Sequence, residues 1–157
     1  MWTLLWQNYF VNFIEDIIFT FSHKLLHTPF LYKHIHKIHH KYTQPVGICA
    51  EYAHPLEFIF GNTLPFLIPM LILGTSHHQF TSVAVGCIRA VGTTYGHSGY
   101  NFPWDPFEMA LFRTDTQYHD YHHKGNIDSN FGGGLYLTDF IFGYNRQYLK
   151  QQQLVEK

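Results

Sequence analysis

Thirteen histidines occur in 157 residues, and eight of them fall into three short combs. His23 and His27 read HxxxH, His36, His39 and His40 read HxxHH, and His119, His122 and His123 repeat the HxxHH spacing. On a helix, positions i, i+3 and i+4 share a face with Cβ atoms about 5–6 Å apart, so each comb can converge its imidazoles on one ion or on an adjacent pair. Imidazole suits zinc, copper, iron and nickel, so ligand type alone does not choose the metal. Ligand number says more. A tetrahedral zinc takes four ligands, and eight imidazoles exceed that, which makes two metals the economical inference. An all-nitrogen shell with open positions suits a redox ion that binds dioxygen, whereas a structural site is closed. Ligating histidines must be neutral, so metal loading should fall below about pH 6.5. An isolated histidine is more often a surface or interfacial residue, and His34, His77 and His78 are read that way.

The elements that must carry these combs are helices. Residues 2–21 are mostly large and apolar, with no Gly or Pro. On a 3.6-residue period, Asn12, Asp16, His23 and His27 fall along one stripe of this segment and its continuation. About 20 residues match a bilayer core, and a polar stripe on such a helix faces the protein interior. A soluble amphipathic helix is the alternative. "TPF" at 28–30 ends the helix, because the residue before proline leaves the helical region. A second helix is expected from about Leu31 to Tyr42. The most apolar run, Leu64–Leu73, is interrupted by prolines and pairs with residues 81–96 as a hydrophobic hairpin that dips into or crosses the membrane, with His77 and His78 at its turn. Arg89 weakens a simple spanning assignment for the second arm. The end of the chain, after "GGG" at 132–134, is polar and expected to be loose.

Composition limits the remaining classes. A length of 157 residues suits one domain. A net charge of −1 gives no broad basic surface, which excludes nucleic-acid binding. Charged residues make up 13% of the chain and aromatic ones 18%, against about 25% charged in soluble domains, so much of the surface is not expected to face water. The mean hydropathy of −0.13 is low for a polytopic membrane protein because histidines, asparagines and glutamines offset the apolar segments. Cys49 and Cys87 have no short spacing and are read as reduced, buried, small apolar residues. The N-terminus resembles neither a secretory signal nor a transit peptide.

The three boxes in this order resemble the fatty acid hydroxylase/sterol desaturase superfamily of integral membrane di-iron oxygenases. The flanks are more telling. "EDIIFTFSHKLLHTPFLYKHIHKIHHKYTQP" followed by "AEYAHPLE", and "HSGYNFPW" at 97–104, resemble the C-4 methylsterol oxidase branch, while "HDYHHKGNIDSNFG" and "TDFIFG" match the superfamily's closing segment. The resemblance covers about Glu15 to Gly143 of a single domain, with residues 144–157 as a polar tail. It implies an all-α integral membrane protein with a histidine-rich di-metal helical cap.

It further implies that His23, His27, His36, His39, His40, His119, His122 and His123 coordinate two irons, with zinc a possible substitute in a purified sample, and that His97 is a further ligand. Relatives place another histidine where this chain has Asn101, which marks Asn101, together with His54, as a candidate contact to the metal. Asp16, Asp120, Asn130 and Asp139 are candidates for taking the second N–H of the ligating imidazoles. The implied chemistry is oxidation of an unactivated methyl or methylene on a lipid or sterol, with dioxygen and with electrons from NAD(P)H through a b-type cytochrome. Phe58, Phe60, Phe66 and Trp104 are candidates to line the lipid slot.

Relatives carry one or two membrane helices ahead of the first box, which here lies 22 residues from the start, and no dilysine retrieval signal stands at the C-terminus. Kinship implies the endoplasmic reticulum membrane, with another organelle membrane, such as the mitochondrial inner membrane, as the alternative for a complex subunit. Two other readings stay open: an accessory subunit of a larger membrane complex that keeps the fold without turnover, and a soluble di-zinc protein.

Overall fold

The computed structural model describes residues 2–44, 46–102, 114–125 and 128–155, and among these every regular element is helical. Helix α1 (Trp2–Leu26) is followed by the short α2 (Pro29–His34). Thr28 between them is extended, as a residue before proline must be. Two 3-10 turns, His36–Lys41 and Gly47–Glu51, lead to a long apolar helix. That helix opens as α3 (Pro55–Glu57), passes through a π-turn at Phe58–Thr63 and continues as α4 (Leu64–Leu73). Helix α5 (Gln79–Gly96) returns antiparallel, and α6 (Thr116–His123), α7 (Leu137–Phe142) and α8 (Arg146–Val155) complete the described chain.

Helix α1 is the spine, packing against α4, α5 and α7. Val11, Met70 and Val85 form its small apolar core, with Phe10, Phe66 and Leu73 closing around them. The distribution of polarity is inverted relative to a water-soluble protein. Gln7, Asp16, Thr20 and His23 are buried on α1, while Trp2, Leu5, Trp6, Tyr9, Phe13, Phe21 and Leu25 on the same helix are exposed. Polar groups inward and large apolar groups outward is what a hydrocarbon environment selects. Pro55–Ser76 is long and apolar enough to cross a membrane, and the architecture is that of a helical membrane protein with a histidine-rich cap.

The inward polar groups are satisfied within the helices. Gln7 donates to the Ser76 carbonyl (2.6 Å) and accepts from Thr81 (2.8 Å) and the His78 amide (3.1 Å), which locks the hairpin turn against the start of α1. Arg89 donates to Glu15 on α1 and, at 2.9 Å, to Asn62 in the π-turn. The charge that argued against a simple span on α5 is thus neutralised inside the bundle.

Several details differ from the sequence expectation. The second helix stops at His34, because Ile35 leaves the helical region (φ −125°, ψ −67°), and the HxxHH comb sits on the 3-10 turn that follows. The C-terminal segment is helical to Val155: α8 buries Tyr148, whose ring packs on Tyr118 (5.2 Å) and Tyr121 (5.3 Å), while the polar residues after it are largely exposed. Cys49 is buried as expected, but Cys87 is exposed on the outer face of α5. Phe58 and Phe60 face outward and Phe66 packs into the core, so these rings do not wall the internal cavity. Trp104 lies outside the described residues.

Candidate metal centre

Four segments deliver nine imidazoles to one place. The end of α1 brings His23 and His27, and the first 3-10 turn brings His36, His39 and His40. His97 caps the end of α5, and α6, whose N-terminus is capped by the Asp115 carboxylate on the Tyr118 amide (2.7 Å), brings His119, His122 and His123. The rings divide into two nests. Site one gathers His23, His27, His36, His40 and His122, and site two gathers His39, His97, His119 and His123, with the candidate ligand atoms of each nest within 4.8 Å of one another. Each HxxHH comb therefore splits between the sites. Consecutive residues diverge by roughly 100–120° on such turns, so His39 and His40, with rings at 86°, reach different nests. The nests adjoin, with the His40 and His123 rings stacked at 4.5 Å.

In site one the Nε2–Nε2 separations are 3.1 Å (His23–His36), 3.3 Å (His23–His27), 2.9 Å (His27–His36), 3.0 Å (His36–His40) and 3.2 Å (His40–His122). In site two they are 3.4 Å (His39–His97), 2.9 Å (His97–His119) and 3.1 Å (His119–His123). These contacts are not all hydrogen bonds. The Nδ1–H of His23 donates to the Phe131 carbonyl at 2.7 Å and that of His36 to Glu57 Oε1 at 2.7 Å. A neutral imidazole has one N–H, so both Nε2 atoms are bare lone pairs facing each other. His122, through the Ser129 carbonyl (2.6 Å), and His97, through the Thr93 carbonyl (2.8 Å), are fixed in the same tautomer.

A cation resolves the repulsion. With metal–imidazole bonds of about 2.1 Å, neighbouring ligand nitrogens stand about 3.0 Å apart at right angles and about 3.4 Å apart at the tetrahedral angle, the range observed. The donor set therefore fits two metal ions, with five nitrogens for one and four for the other. Burial, reinforced for His39 and His123 by neighbouring imidazoles, holds His123 down at about 2, His39 at about 3 and His97 at about 4. Desolvation likewise places His119 and His122 well below the ordinary histidine range. All five are neutral, ligating bases at pH 7.

The four side chains expected to take the second imidazole N–H do something else. Asp16 accepts from the Thr138 amide (2.9 Å) and hydroxyl (2.6 Å), fastening α7 to α1. Asp139 accepts from the Tyr118 hydroxyl (2.6 Å) and the Gly132 amide (2.7 Å). Asp120 pairs with Lys124. Asn130 acts through its backbone conformation and through its side chain, whose Nδ2 is a donor and whose Oδ1 accepts from the Ser129 hydroxyl (2.8 Å). It is fully buried in the left-handed region (φ 59°), donates to the Tyr118 carbonyl (2.9 Å), and stands between Ser129 and Phe131, whose carbonyls receive His122 and His23.

Of the two candidate contacts to the metal, His54 caps α3 through the Leu56 amide (3.1 Å), and Asn101 is exposed and accepts from the Tyr95 hydroxyl (3.2 Å). Neither joins a nest. Of the single histidines, His77 contacts Ser82 (2.9 Å), His78 caps α5 through the Phe80 amide (3.2 Å), and His34 is exposed against Phe30. The sequence reading missed Glu57. Its place in "HPLE", 21 residues from His36, gave no periodic signal.

A cavity bordered by Phe19, Leu26, Gly61, Thr93 and Gly133 connects the faces of His23, His36, His39, His97 and His119 with the Glu15–Arg89–Asn62 cross-link at its far end. The cavity measures about 90 Å³, room for a few water molecules beside the nests, and its lining mixes polar and apolar groups.

Fold and site together define a helical membrane protein with two buried polyhistidine nests, each with a donor set suited to a metal ion. Residues 9–144 match the fatty acid hydroxylase family model, and the chain belongs to that family. It is 37% identical to the very-long-chain aldehyde decarbonylase GL1-8 of Oryza sativa subsp. indica, over 99% of this chain and 58% of that protein. It is 36% identical to methylsterol monooxygenase 2-1 of Arabidopsis thaliana (96% of this chain, 59% of that protein) and 35% identical to methylsterol monooxygenase 1-1 of the same plant (92% and 48%). The chain thus spans about half to three-fifths of the length of these relatives. No solved structure matches it.

Proposed function

We propose that the chain is a membrane-bound, non-haem di-iron oxygenase that oxidises a lipid, with a C-4 methylsterol or related sterol as the substrate class. One observation carries the metal-centre reading: the Nε2 atoms of His23 and His36, whose Nδ1–H groups are committed to the Phe131 carbonyl and Glu57, face each other 3.1 Å apart, and Nε2–Nε2 separations of 2.9–3.4 Å recur through both buried nests. Kinship with methylsterol monooxygenases supports the lipid reading and the choice of sterol. Two irons, when bound, supply dioxygen activation, with electrons delivered from NAD(P)H through a b-type cytochrome.

The chain's own contribution is positional. The carbonyls of Thr93, Ser129 and Phe131 and the Glu57 carboxylate fix four imidazoles in the ligating tautomer. The cavity beside the nests is the proposed place for the reacting end of the lipid, and the outward apolar faces of α1 and of Pro55–Ser76 hold it within reach of membrane substrates. The endoplasmic reticulum membrane is the proposed location. The test is oxidation of a 4-methylsterol by the iron-loaded protein in detergent or nanodiscs with a cytochrome donor system. A dioxygen-dependent product that disappears with His122→Ala supports the proposal. Full iron loading without oxidation of any sterol or acyl lipid would overturn the oxygenase reading in favour of a structural subunit.

A further inference from the structure

We infer that Glu57 is the positioning residue of site one, holding His36 in place and supplying negative charge that the ligand set lacks. The inference rests on the metal-centre reading above. Nine imidazoles are neutral ligands, so two divalent ions would add four positive charges to a buried site with no ligand charge to balance them, a costly arrangement away from water. Among the described residues, the other carboxylates around the nests are engaged elsewhere: Asp16 with Thr138, Asp139 with Tyr118 and Gly132, Asp120 with Lys124, and Glu15 with Arg89. Glu57 Oε1 instead receives the His36 Nδ1–H at 2.7 Å, with the side chains 6% and 1% exposed.

The local sequence points the same way. Glu57 is the third residue of the helix that opens at Pro55, after the His54 N-cap. A glutamate at that position ordinarily folds back on the cap amide or faces solvent. Here it is buried and turned across to a histidine 21 residues earlier, and Oε2 has no partner among the described residues. Asp16 Oδ1 and Asp139 Oδ1 are likewise without donors, but of these carboxylates only Glu57 touches an imidazole, where a cation on the far nitrogen would offset its charge. Because Glu57 stands on the first turn of the membrane helix, it also ties that helix to site one. Among the described residues no carboxylate takes an imidazole N–H in site two: His97 is oriented by the neutral Thr93 carbonyl.

The test is Zn2+ titration of the full, detergent-solubilised chain in competition with a chromophoric chelator. It is run in a His119→Ala background, which disables site two, and in a His27→Ala background, which disables site one. Removing the outer partner of a ligating histidine weakens metal affinity by about 10–100-fold. In the His119→Ala background, Glu57→Ala is expected to weaken Zn2+ binding by about 100-fold and the isosteric Glu57→Gln, which keeps an acceptor but no charge, by about 10-fold. In the His27→Ala background neither change should move the affinity. If Glu57→Ala does not fold, Glu57→Gln alone decides. Unchanged binding at site one, or equal losses at both sites, would overturn the inference. A wild-type chain that binds no Zn2+ would overturn the metal-centre reading itself.

Discussion

Asp139 touches no histidine, yet its replacement is expected to dismantle both nests. Its Oδ2 is the shared acceptor for the Tyr118 hydroxyl at 2.6 Å and the Gly132 amide at 2.7 Å, and the side chain is fully buried. Tyr118 precedes His119, and Gly132 follows Phe131, whose carbonyl orients His23. Asp139→Ala strands two buried donors, each at about 1–3 kcal/mol, for a total of about 2–6 kcal/mol. Against a typical stability of about 5–15 kcal/mol, that is a large fraction.

Asp139→Asn should behave differently. It keeps an acceptor oxygen in place and removes a charge whose burial pushes the Asp139 pKa up to about 6, so the variant is expected to stay close to wild type at about pH 4, where the carboxyl is protonated. The sign of the pH effect follows. A carboxyl group with a raised native pKa contributes stability that is present below its unfolded value and is lost as pH rises through about 6, so the Asn variant should gain on wild type from about pH 4 to 7. Chemical denaturation in detergent, followed by circular dichroism, reads the stabilities, and plasma mass spectrometry reads the bound metal. Asp139→Ala with wild-type stability and metal content would refute the argument. So would Asp139→Asn that is as damaging as alanine, because then the charge and not the acceptor would be the essential feature.

Three further outcomes are expected. Asn130→Ala should destabilise by about 1–3 kcal/mol through left-handed strain and lower metal content, whereas Asn130→Gly, which tolerates φ 59°, should recover the backbone-dependent part; equal effects of the two would sink the backbone role. Arg89→Met should cost about 1–3 kcal/mol, measured by denaturation, because Asn62 and Glu15 lose a charged donor inside the bundle, and an unchanged midpoint would count against a structural cross-link. The metal-free protein should lose stability steeply from about pH 6.5 down to about 4. His39, His97 and His123 titrate near 3, 4 and 2 when folded and near 6.5 when unfolded, so stability is present above 6.5 and declines as the unfolded chain takes up protons, by about 4 kcal/mol per pH unit for three groups. Raised carboxyls such as Asp139 oppose this but are outnumbered by the buried imidazoles, and a flat thermal midpoint between pH 7 and 5 would contradict the burial of neutral imidazoles.

The grouping of the histidines was legible in the sequence because histidine spacing on a turn is a local property. The three combs and the polar stripe on α1 needed no tertiary information. The partition of each HxxHH comb between two sites was not legible, since it depends on how α1, the His36–Lys41 turn and α6 meet. His97 came only from family resemblance, because a single histidine carries no spacing signal. The acidic residues were misassigned for a related reason. An aspartate near a histidine in sequence can equally serve a distant backbone amide, as Asp16 and Asp139 do. The glutamate that reaches a ligand, Glu57, arrives from 21 residues away on the membrane helix. The helical form of the α8 tail was hidden by its polar composition, and Tyr148 packs it on two tyrosines of α6.

The central claim is that two separate nests each hold an ion. Metal analysis of the purified, detergent-solubilised chain, alongside His27→Ala and His119→Ala, tests it most directly. The account predicts about two ions per chain for wild type and about one for each variant, one lost from each nest. A folded wild-type chain without metal, or variants that each lose both ions or neither, would contradict it.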